Sequence, residues 1–204
     1  MKQTLTKTRI AMTLLVVCFA LVLGIVLLST ASTAHATGTA TGGLTIGGES
    51  NMTGAGYFYE GATQTLTLNG YNGKEIDFSG KTIKVEGNNT ITVDENSNHR
   101  KHPSYADLYQ YYGIFVKSSN ALTISGKGSL TLNIDTTKIG DEIEFDTFGI
   151  ATGGDLFIKE EVKITINANV KNYRGTAIST YNLSIIDSAY IDITMNGNVI
   201  SAKN

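Results

Sequence analysis

Short stretches in which apolar and polar residues alternate recur along the chain in pairs. Each pair joins two apolar-variable-apolar triplets whose starts are eight residues apart. The pairs are Ile83–Val85 with Ile91–Val93, Leu122–Ile124 with Leu130–Leu132, Leu156–Ile158 with Ile164–Ile166, and Leu183–Ile185 with Ile191–Ile193. Because successive side chains point to opposite faces of a strand, the outer residues of each triplet lie on one face. The pattern predicts four doublets of short β-strands.

A third short apolar element precedes three of the doublets. It reads Gly113-Ile114-Phe115, Gly149-Ile150-Ala151 and Ala177-Ile178-Ser179. The doublets themselves start 39, 34 and 27 residues apart, so the repeats differ in loop length and keep their internal spacing. Three strands per repeat favour an all-β fold, a right-handed parallel β-helix of about four coils. The alternative is an antiparallel β-sandwich, which also contains many short strands.

The variable lengths are concentrated at one corner of this repeat. The long loops are residues 94–112, 135–148 and 167–176, and in solenoids loops on one side often form the binding face. Asn133 and Asn167 follow their strands at equivalent places, where their amides can form a ladder. Residues 37–56, rich in Thr and Gly, are interpreted as a flexible lead, and residues 57–204 as the β-helix domain.

One repeat carries a recognisable resemblance. The run Leu122-Thr123-Ile124-Ser125-Gly126-Lys127-Gly128-Ser129-Leu130-Thr131-Leu132, preceded by Gly113-Ile114 and echoed near Gly149-Ile150, resembles secreted bacterial carbohydrate-binding proteins with a right-handed parallel β-helix. These are pectate-lyase-like solenoids, and some of them bind acidic plant polysaccharide with calcium. The resemblance covers about residues 62–197, and the chain is shorter than is usual in that group. It implies binding of a cell-wall or plant polysaccharide.

The N-terminus predicts export. Lys2, Lys7 and Arg9 precede an apolar run from Ile10 to Leu28, and Ala34-His35-Ala36 fits a small-x-small cleavage site. We interpret residues 1–36 as a signal peptide, and the mature protein as secreted or located at the cell surface. The alternative is an uncleaved membrane anchor, because the apolar run is long enough to cross a bilayer. Cys18, the chain's only cysteine, lies in this segment, so residues 37–204 contain no thiol or disulfide.

The charge balance argues against a nucleic-acid partner. Residues 1–36 contain three of the sixteen Lys and Arg residues and none of the eighteen acidic ones, which leaves the mature chain with a net charge of −5. Nucleic-acid-binding domains usually carry a basic footprint, and this chain does not.

The segment from His99 to Tyr112 differs most from the rest of the chain. It contains four tyrosines and four basic or His side chains within fourteen residues. Tyrosine rings offer apolar faces to sugars and hydroxyls for hydrogen bonds, and neighbouring cations suit an anionic sugar. The predicted ligand-binding residues are Arg100, Tyr105, Tyr109, Tyr111, Tyr112 and Arg174. In the alternative interpretation, Pro103 begins a short helix and the tyrosines only cover the flank of the fold.

An acidic loop is the candidate metal site. Asp141, Glu142, Glu144 and Asp146 provide the hard oxygen ligands that Ca²⁺ uses, although the spacing is not that of an EF-hand. The alternative is a solvated acidic loop. His99 and His102 lack a further His or Cys with which to form a transition-metal site.

The residues do not single out a catalytic centre. A polysaccharide lyase needs a charge stabiliser and a strong base, and a glycosidase needs two opposed carboxylates, but no spacing marks such a set. We therefore expect a non-catalytic carbohydrate-binding protein. The alternatives are a surface-structural or adhesin module, and a polysaccharide lyase. At the C-terminal end, residues 198–204 fold over the stack, two molecules pack end to end, or the sequence is a fragment.

Overall fold

A computed structural model describes residues 38–39, 43–117, 119, 121–140, 144–171 and 174–202. These residues belong to the second of two structural units, His35–Asn204, and the predicted signal segment lies outside them. All regular elements among them are β-strands, and none is an α-helix. None of the described residues forms a helix of the length and apolarity needed to cross a membrane.

The strands follow one another in a fixed order. The first four are β1 (Gly38–Thr39), β2 (Leu44–Ile46), β3 (Met52–Gly54) and β4 (Tyr57–Glu60). Next come β5 (Thr65–Asn69), β6 (Tyr71–Gly73), β7 (Ile76–Phe78), β8 (Thr82–Glu86), β9 (Asn88–Val93), β10 (His99–His102) and β11 (Tyr105–Val116). The remaining strands are β12 (Leu122–Gly126), β13 (Ser129–Asp135), β14 (Glu144–Thr152), β15 (Leu156–Ile158), β16 (Lys163–Asn169), β17 (Gly175–Thr180), β18 (Leu183–Ile185), β19 (Tyr190–Met195) and β20 (Asn198–Ala202).

These strands form three sheets that the chain visits in rotation. The first sheet has the order β1-β6-β9-β13-β16-β19, the second β2-β7-β11-β14-β17-β20, and the third β18-β15-β12-β8-β5-β4-β3. From β5 onward the described chain passes through the third, first and second sheets five times, and we call each passage a circuit. Neighbouring circuits pair in parallel, which is compatible with a β-helix or solenoid. Antiparallel pairing is confined, among the described residues, to β3–β4–β5 and β10–β11, so the β-sandwich alternative is wrong.

Apolar residues occupy the same register position in successive circuits. In the second sheet, Leu44, Ile76, Ile114, Ile150, Ile178 and Ile200 align strand after strand. The third sheet contains a similar ladder from Tyr59 to Ile185. Most of these side chains are fully buried and form one continuous core. Each buried aliphatic side chain contributes about 1.5–3 kcal/mol of transfer free energy, which offsets the entropy of ordering short strands.

The four predicted doublets are confirmed as β8–β9, β12–β13, β15–β16 and β18–β19. A further circuit, β5–β7, precedes them. Its first-sheet strand is only Tyr71–Gly73, too short to produce the alternation seen in the doublets. The predicted amide ladder is also present, since Asn167 Nδ2 donates to Asn133 Oδ1 at 3.1 Å.

At the ends of the stack, the expected flexible lead is wrong, and so is one of the three alternatives for the C-terminal end. The described part of the predicted flexible lead contains β1, β2 and β3, which pair with β6, β7 and β4. Its few apolar residues, such as Ile46, are enough to continue the ladders. At the other end, Asn198–Ala202 do not fold over the stack. They form β20 and continue the second sheet beside β17.

Candidate functional site

The segment from His99 to Tyr112 forms a β-hairpin that belongs to the second sheet. Strand β10 pairs antiparallel with β11, with Arg100 opposite Gln110 and Lys101 opposite Tyr109. Pro103 and Ser104 form the turn, where the fixed φ of proline is accommodated and its missing N–H is not needed. The helix considered as an alternative is therefore absent. The hairpin arises because β7 pairs only with Ile114–Val116, which leaves one edge of the earlier part of β11 without a partner, while β14 pairs with its other edge. Strand β10 pairs with that free edge.

Arg100 joins the hairpin to the neighbouring circuit. Its guanidinium forms an ion pair with Asp77 of β7 and lies 4.5 Å from the centre of the Phe115 ring. Both partners point away from the core, because they alternate along their strands with the buried Ile76, Phe78, Ile114 and Val116. A cation over an aromatic face is favourable, and the ion pair fixes its position.

Three aromatic rings continue this surface across two strands. The Tyr112 ring centre lies 4.6 Å from that of Phe115 and 5.3 Å from that of Phe148, with which it stacks at 16°. Tyr112 is only 7% exposed, and its hydroxyl donates to Gln110 Oε1 at 2.5 Å. Burial raises the pKa of Tyr112 to about 12, with a smaller lowering effect from Arg100. The hydroxyl is therefore a fixed, neutral hydrogen-bonding group.

Arg174 lies beside the same row. Its Nη1 is 3.2 Å from Glu144 Oε2, and its Nε is 3.2 Å from Asp146 Oδ1. Asp146 occupies the register position next to Gln110, which places this arginine near Tyr112. Burial lowers the pKa of Arg174, but the hydrogen bond that Arg174 donates to Glu144 and the charge of Asp146 outweigh it, so the net shift is upward. We call the surface formed by Asp77, Arg100, Gln110, Tyr112, Phe115, Asp146, Phe148 and Arg174 the hairpin face.

The other predicted tyrosines differ in position. Tyr105 is 64% exposed, and its ring centre lies 4.8 Å from that of His102. Tyr109 is partly buried, with His99 edge-on at 4.8 Å and Lys101 Nζ at 5.9 Å from its ring centre. Tyr111 is 3% exposed and packs in the core against Phe145. Tyr111 faces the core, on the opposite side of the strand from Tyr112, so it is not part of the hairpin face.

The acidic loop is only partly within the described residues. Asp141 and Glu142 lie outside them, and Glu144 and Asp146 bind Arg174. Calcium requires six to eight oxygen ligands, and the described residues contain no group of three or more His, Cys, Asp or Glu that would hold a metal. The described donors do not by themselves fit a Ca²⁺ ion, and the calcium site stays a prediction.

Several residues of the face were not anticipated from the sequence. Phe115 points outward between the buried Ile114 and Val116, and Phe148 points outward next to the buried Thr147. Asp77 stands between the buried Ile76 and Phe78. The signal for Phe115 was present, since an aromatic residue at a polar position of an alternating strand indicates an exposed ring. That Asp77 meets Arg100 depends on the pairing of β7 with β11 and on the hairpin.

Beneath one end of the hairpin face lies a cleft of about 250 Å³. Its walls come from β2, β7, the start of the hairpin and the aromatic row, and they include Gly43, Glu75, Asp77, Asn98, His99, Arg100, Tyr112 and Phe115. The cleft and the aromatic row together combine ring faces with charged and amide groups. No protein-family model, curated protein or solved structure matches the chain. A functional proposal for this protein therefore depends on the geometry of the site.

Proposed function

We propose that this chain is an exported, non-catalytic carbohydrate-binding protein built as a right-handed parallel β-helix, and that its hairpin face binds an acidic cell-wall or plant polysaccharide. The main observation in support is the aromatic row of Tyr112, Phe115 and Phe148, with Arg100 at one side and Arg174 at the other. Sugar-binding sites need flat apolar surfaces next to fixed polar groups.

The preference for an acidic chain rests on the hairpin. Arg100 and Arg174 are paired with carboxylates, so they act mainly as hydrogen-bond donors of fixed direction. Lys101 lies on β10 with its Nζ 5.9 Å from the centre of the Tyr109 ring, and His99 and His102 lie on the same strand. These three side chains are the groups that a uronate carboxylate would meet.

The experiment is calorimetric titration of the protein with polygalacturonate and with a neutral xyloglucan, each with calcium and then with a chelator. We expect heat with polygalacturonate, and an increase with calcium if the acidic loop binds it. Tyr105→Ala should weaken binding about tenfold, because it removes an exposed ring from the hairpin. Tyr181→Ala is the matched control, since Tyr181 is a similarly exposed tyrosine between β17 and β18.

No heat with either glycan would contradict the proposal, and so would equal losses in the two tyrosine variants. A surface-structural or adhesin module is the second candidate. The observation that favours it is the exposed apolar edge of the last circuit, where Ile185 and Ile200 continue the core ladders. Self-association seen by analytical ultracentrifugation, reduced by Ile185→Ser together with Ile200→Ser, would support that function.

A further inference from the structure

Glu75 is a buried carboxylate in the cleft under the hairpin face. It is 8% exposed, and its Oε1 accepts a hydrogen bond from the backbone N–H of Asn98 at 3.0 Å. Its Oε2 is buried and has no hydrogen-bond partner within the described part of the chain. A buried carboxylate oxygen without a donor costs several kcal/mol, so this position favours a bound group that donates to it.

The charges of the cleft do not balance. Its charged walls are Glu75, Asp77 and Arg100, and Arg100 is paired with Asp77. The nearest lysine in sequence, Lys74, forms its own ion pair with Asp94 at 2.5 Å. Leaving the His99 imidazole aside, the walls therefore contain two carboxylates and one guanidinium. One cationic group restores neutrality.

The shape of the cleft restricts what that cation is attached to. At about 250 Å³ it is smaller than the roughly 300–1,000 Å³ of sites for drug-sized ligands, so it accommodates about one sugar residue. Tyr112 and Phe115 supply ring surface beside the carboxylate, and aromatic rings attract ammonium groups. Gly43 allows the Glu75 carboxylate to pack against the backbone at the edge of the cleft, because a Cβ at this position would lie 2.0 Å from Glu75 Oε1.

We infer that this cleft is a subsite for an amino-sugar residue, with the free ammonium of the sugar donating to Glu75 and the ring lying against Phe115 and Tyr112. The inference rests on the proposed function, because it takes the ligand to be a glycan. The ligand would then carry an ammonium group in this cleft as well as the uronate carboxylate expected at the hairpin. A polysaccharide that contains both uronate and free amino sugar satisfies both parts of the surface.

The test compares two probes that differ at the sugar nitrogen, which is a free ammonium in one and an uncharged acetamide in the other. The purified protein is titrated with a glucosamine hexamer and with an N-acetylglucosamine hexamer near pH 6 and at about 0.15 M salt, where nonspecific charge attraction is screened. We expect the free-amine hexamer to bind at least about tenfold more tightly, the effect of one charge-assisted hydrogen bond. Equal affinity for the two hexamers would overturn the inference.

Two variants separate the subsite from the general acidity of the protein. Glu75→Gln keeps the shape of the side chain and removes its charge, and we expect it to abolish the preference for the free amine. Glu161→Gln is the matched control, an exposed carboxylate that pairs with Lys127 at 3.4 Å. If both variants lose the same affinity, the binding is nonspecific and the inference fails. The comparison of hexamers on the unmodified protein remains decisive if Glu75→Gln lowers the melting temperature.

The outcomes also separate this inference from the proposed function. Binding of polygalacturonate without any preference between the hexamers overturns the subsite and leaves the function standing. A preference for the free-amine hexamer without binding of polygalacturonate supports the subsite and removes the acidic preference. Tighter binding of a lysine hexapeptide than of the glucosamine hexamer shows that the cleft recognises a peptide ammonium, which overturns the amino-sugar assignment.

Discussion

The first and last circuits contain the same kinds of strand, but they differ in what covers them. Beside the first circuit, strands β3 and β4 add two antiparallel strands next to β5, and Tyr59 and Tyr71 are fully buried. The Tyr59 ring lies edge-on to Phe78 at 6.2 Å. In the last circuit, Ile200 continues the second-sheet ladder and is 47% exposed. An apolar side chain of such a ladder is therefore buried only when a further strand pairs with its own strand and covers it.

This contrast predicts unequal costs along a single ladder. Ile150→Ala should lower the free energy of unfolding by about 2–5 kcal/mol, because it leaves a cavity between two covered circuits. Ile200→Ala should cost less than about 1 kcal/mol, because that side chain is already half in water. Urea denaturation of both variants measures the difference. Equal losses would show that Ile200 is covered in solution.

Two glycines near the N-terminal end test how tightly the chain is packed there. Gly56 has φ of +73°, and a Cβ on it would lie 2.4 Å from the backbone nitrogen of Tyr71. Gly48 has φ of +90° with open space around it. Gly56→Ala should cost about 2 kcal/mol or more, and Gly48→Ala about 1 kcal/mol, since the second adds only backbone strain. A similar shift in melting temperature for both would mean that the packing at Gly56 relaxes.

Acid should weaken the contact between the first two circuits. Burial raises the pKa of Asp94, but hydrogen bonds from Lys74 and from the backbone N–H of Asn96 outweigh it, so the net pKa is lowered. The unfolded value is about 3.9, so this contribution is complete above about pH 4 and is lost as the pH falls through the lower folded pKa. We expect a loss of about 1 kcal/mol.

Asp94→Asn removes the titrating group and provides the control for this acid effect. Denaturation curves of the variant between pH 5 and pH 2 should be flatter than those of the unmodified protein. An unchanged slope would assign the acid sensitivity to other carboxylates, among which Asp135 also has a lowered pKa because of hydrogen bonds from Thr137.

The smallest effect is expected on the outer side of the first sheet. Asn133→Ala removes the amide acceptor of Asn167 and should cost about 0.5–1 kcal/mol. Thr194 occupies the same row in the last circuit, paired with Asn167, and Thr194→Ala should change stability by less than about 0.5 kcal/mol. If both substitutions have the same effect, the amide ladder contributes no more than an ordinary surface position.

The strands that alternation marked were predictable, and those that lack it were not. Ile83–Val85 and its partners alternate strictly because one side of each strand is buried. The segment from Leu108 to Tyr112 looked like a loop because aromatic residues occupy both faces. In the structure, Tyr111 packs inward against Phe145 and Tyr112 packs outward against Phe148. An outer face that is itself apolar removes the alternation by which a strand is recognised.

The candidate site was predictable in composition and unpredictable in arrangement. The concentration of Tyr, His and Arg residues marks the hairpin, and the loop that carries Arg174 falls at the same corner of the repeat as the acidic loop. That Arg174 binds Glu144 and Asp146 depends on residues 28 and 30 positions apart in sequence coming together across β14 and β17. Glu75 carries no local signal at all, because its burial results from Gly43 on one side and Asn98 on the other.

The sequence by itself determined the all-β class, the eight-residue doublets and the inward register of the apolar residues, since the alternation of side chains is a property of each strand alone. Only the tertiary structure decided which circuits are covered by a neighbouring strand, which tyrosines lie on the hairpin face and which carboxylates form ion pairs. These properties depend on parallel pairing between segments roughly 30 to 40 residues apart, and local patterns carry no information about the partner.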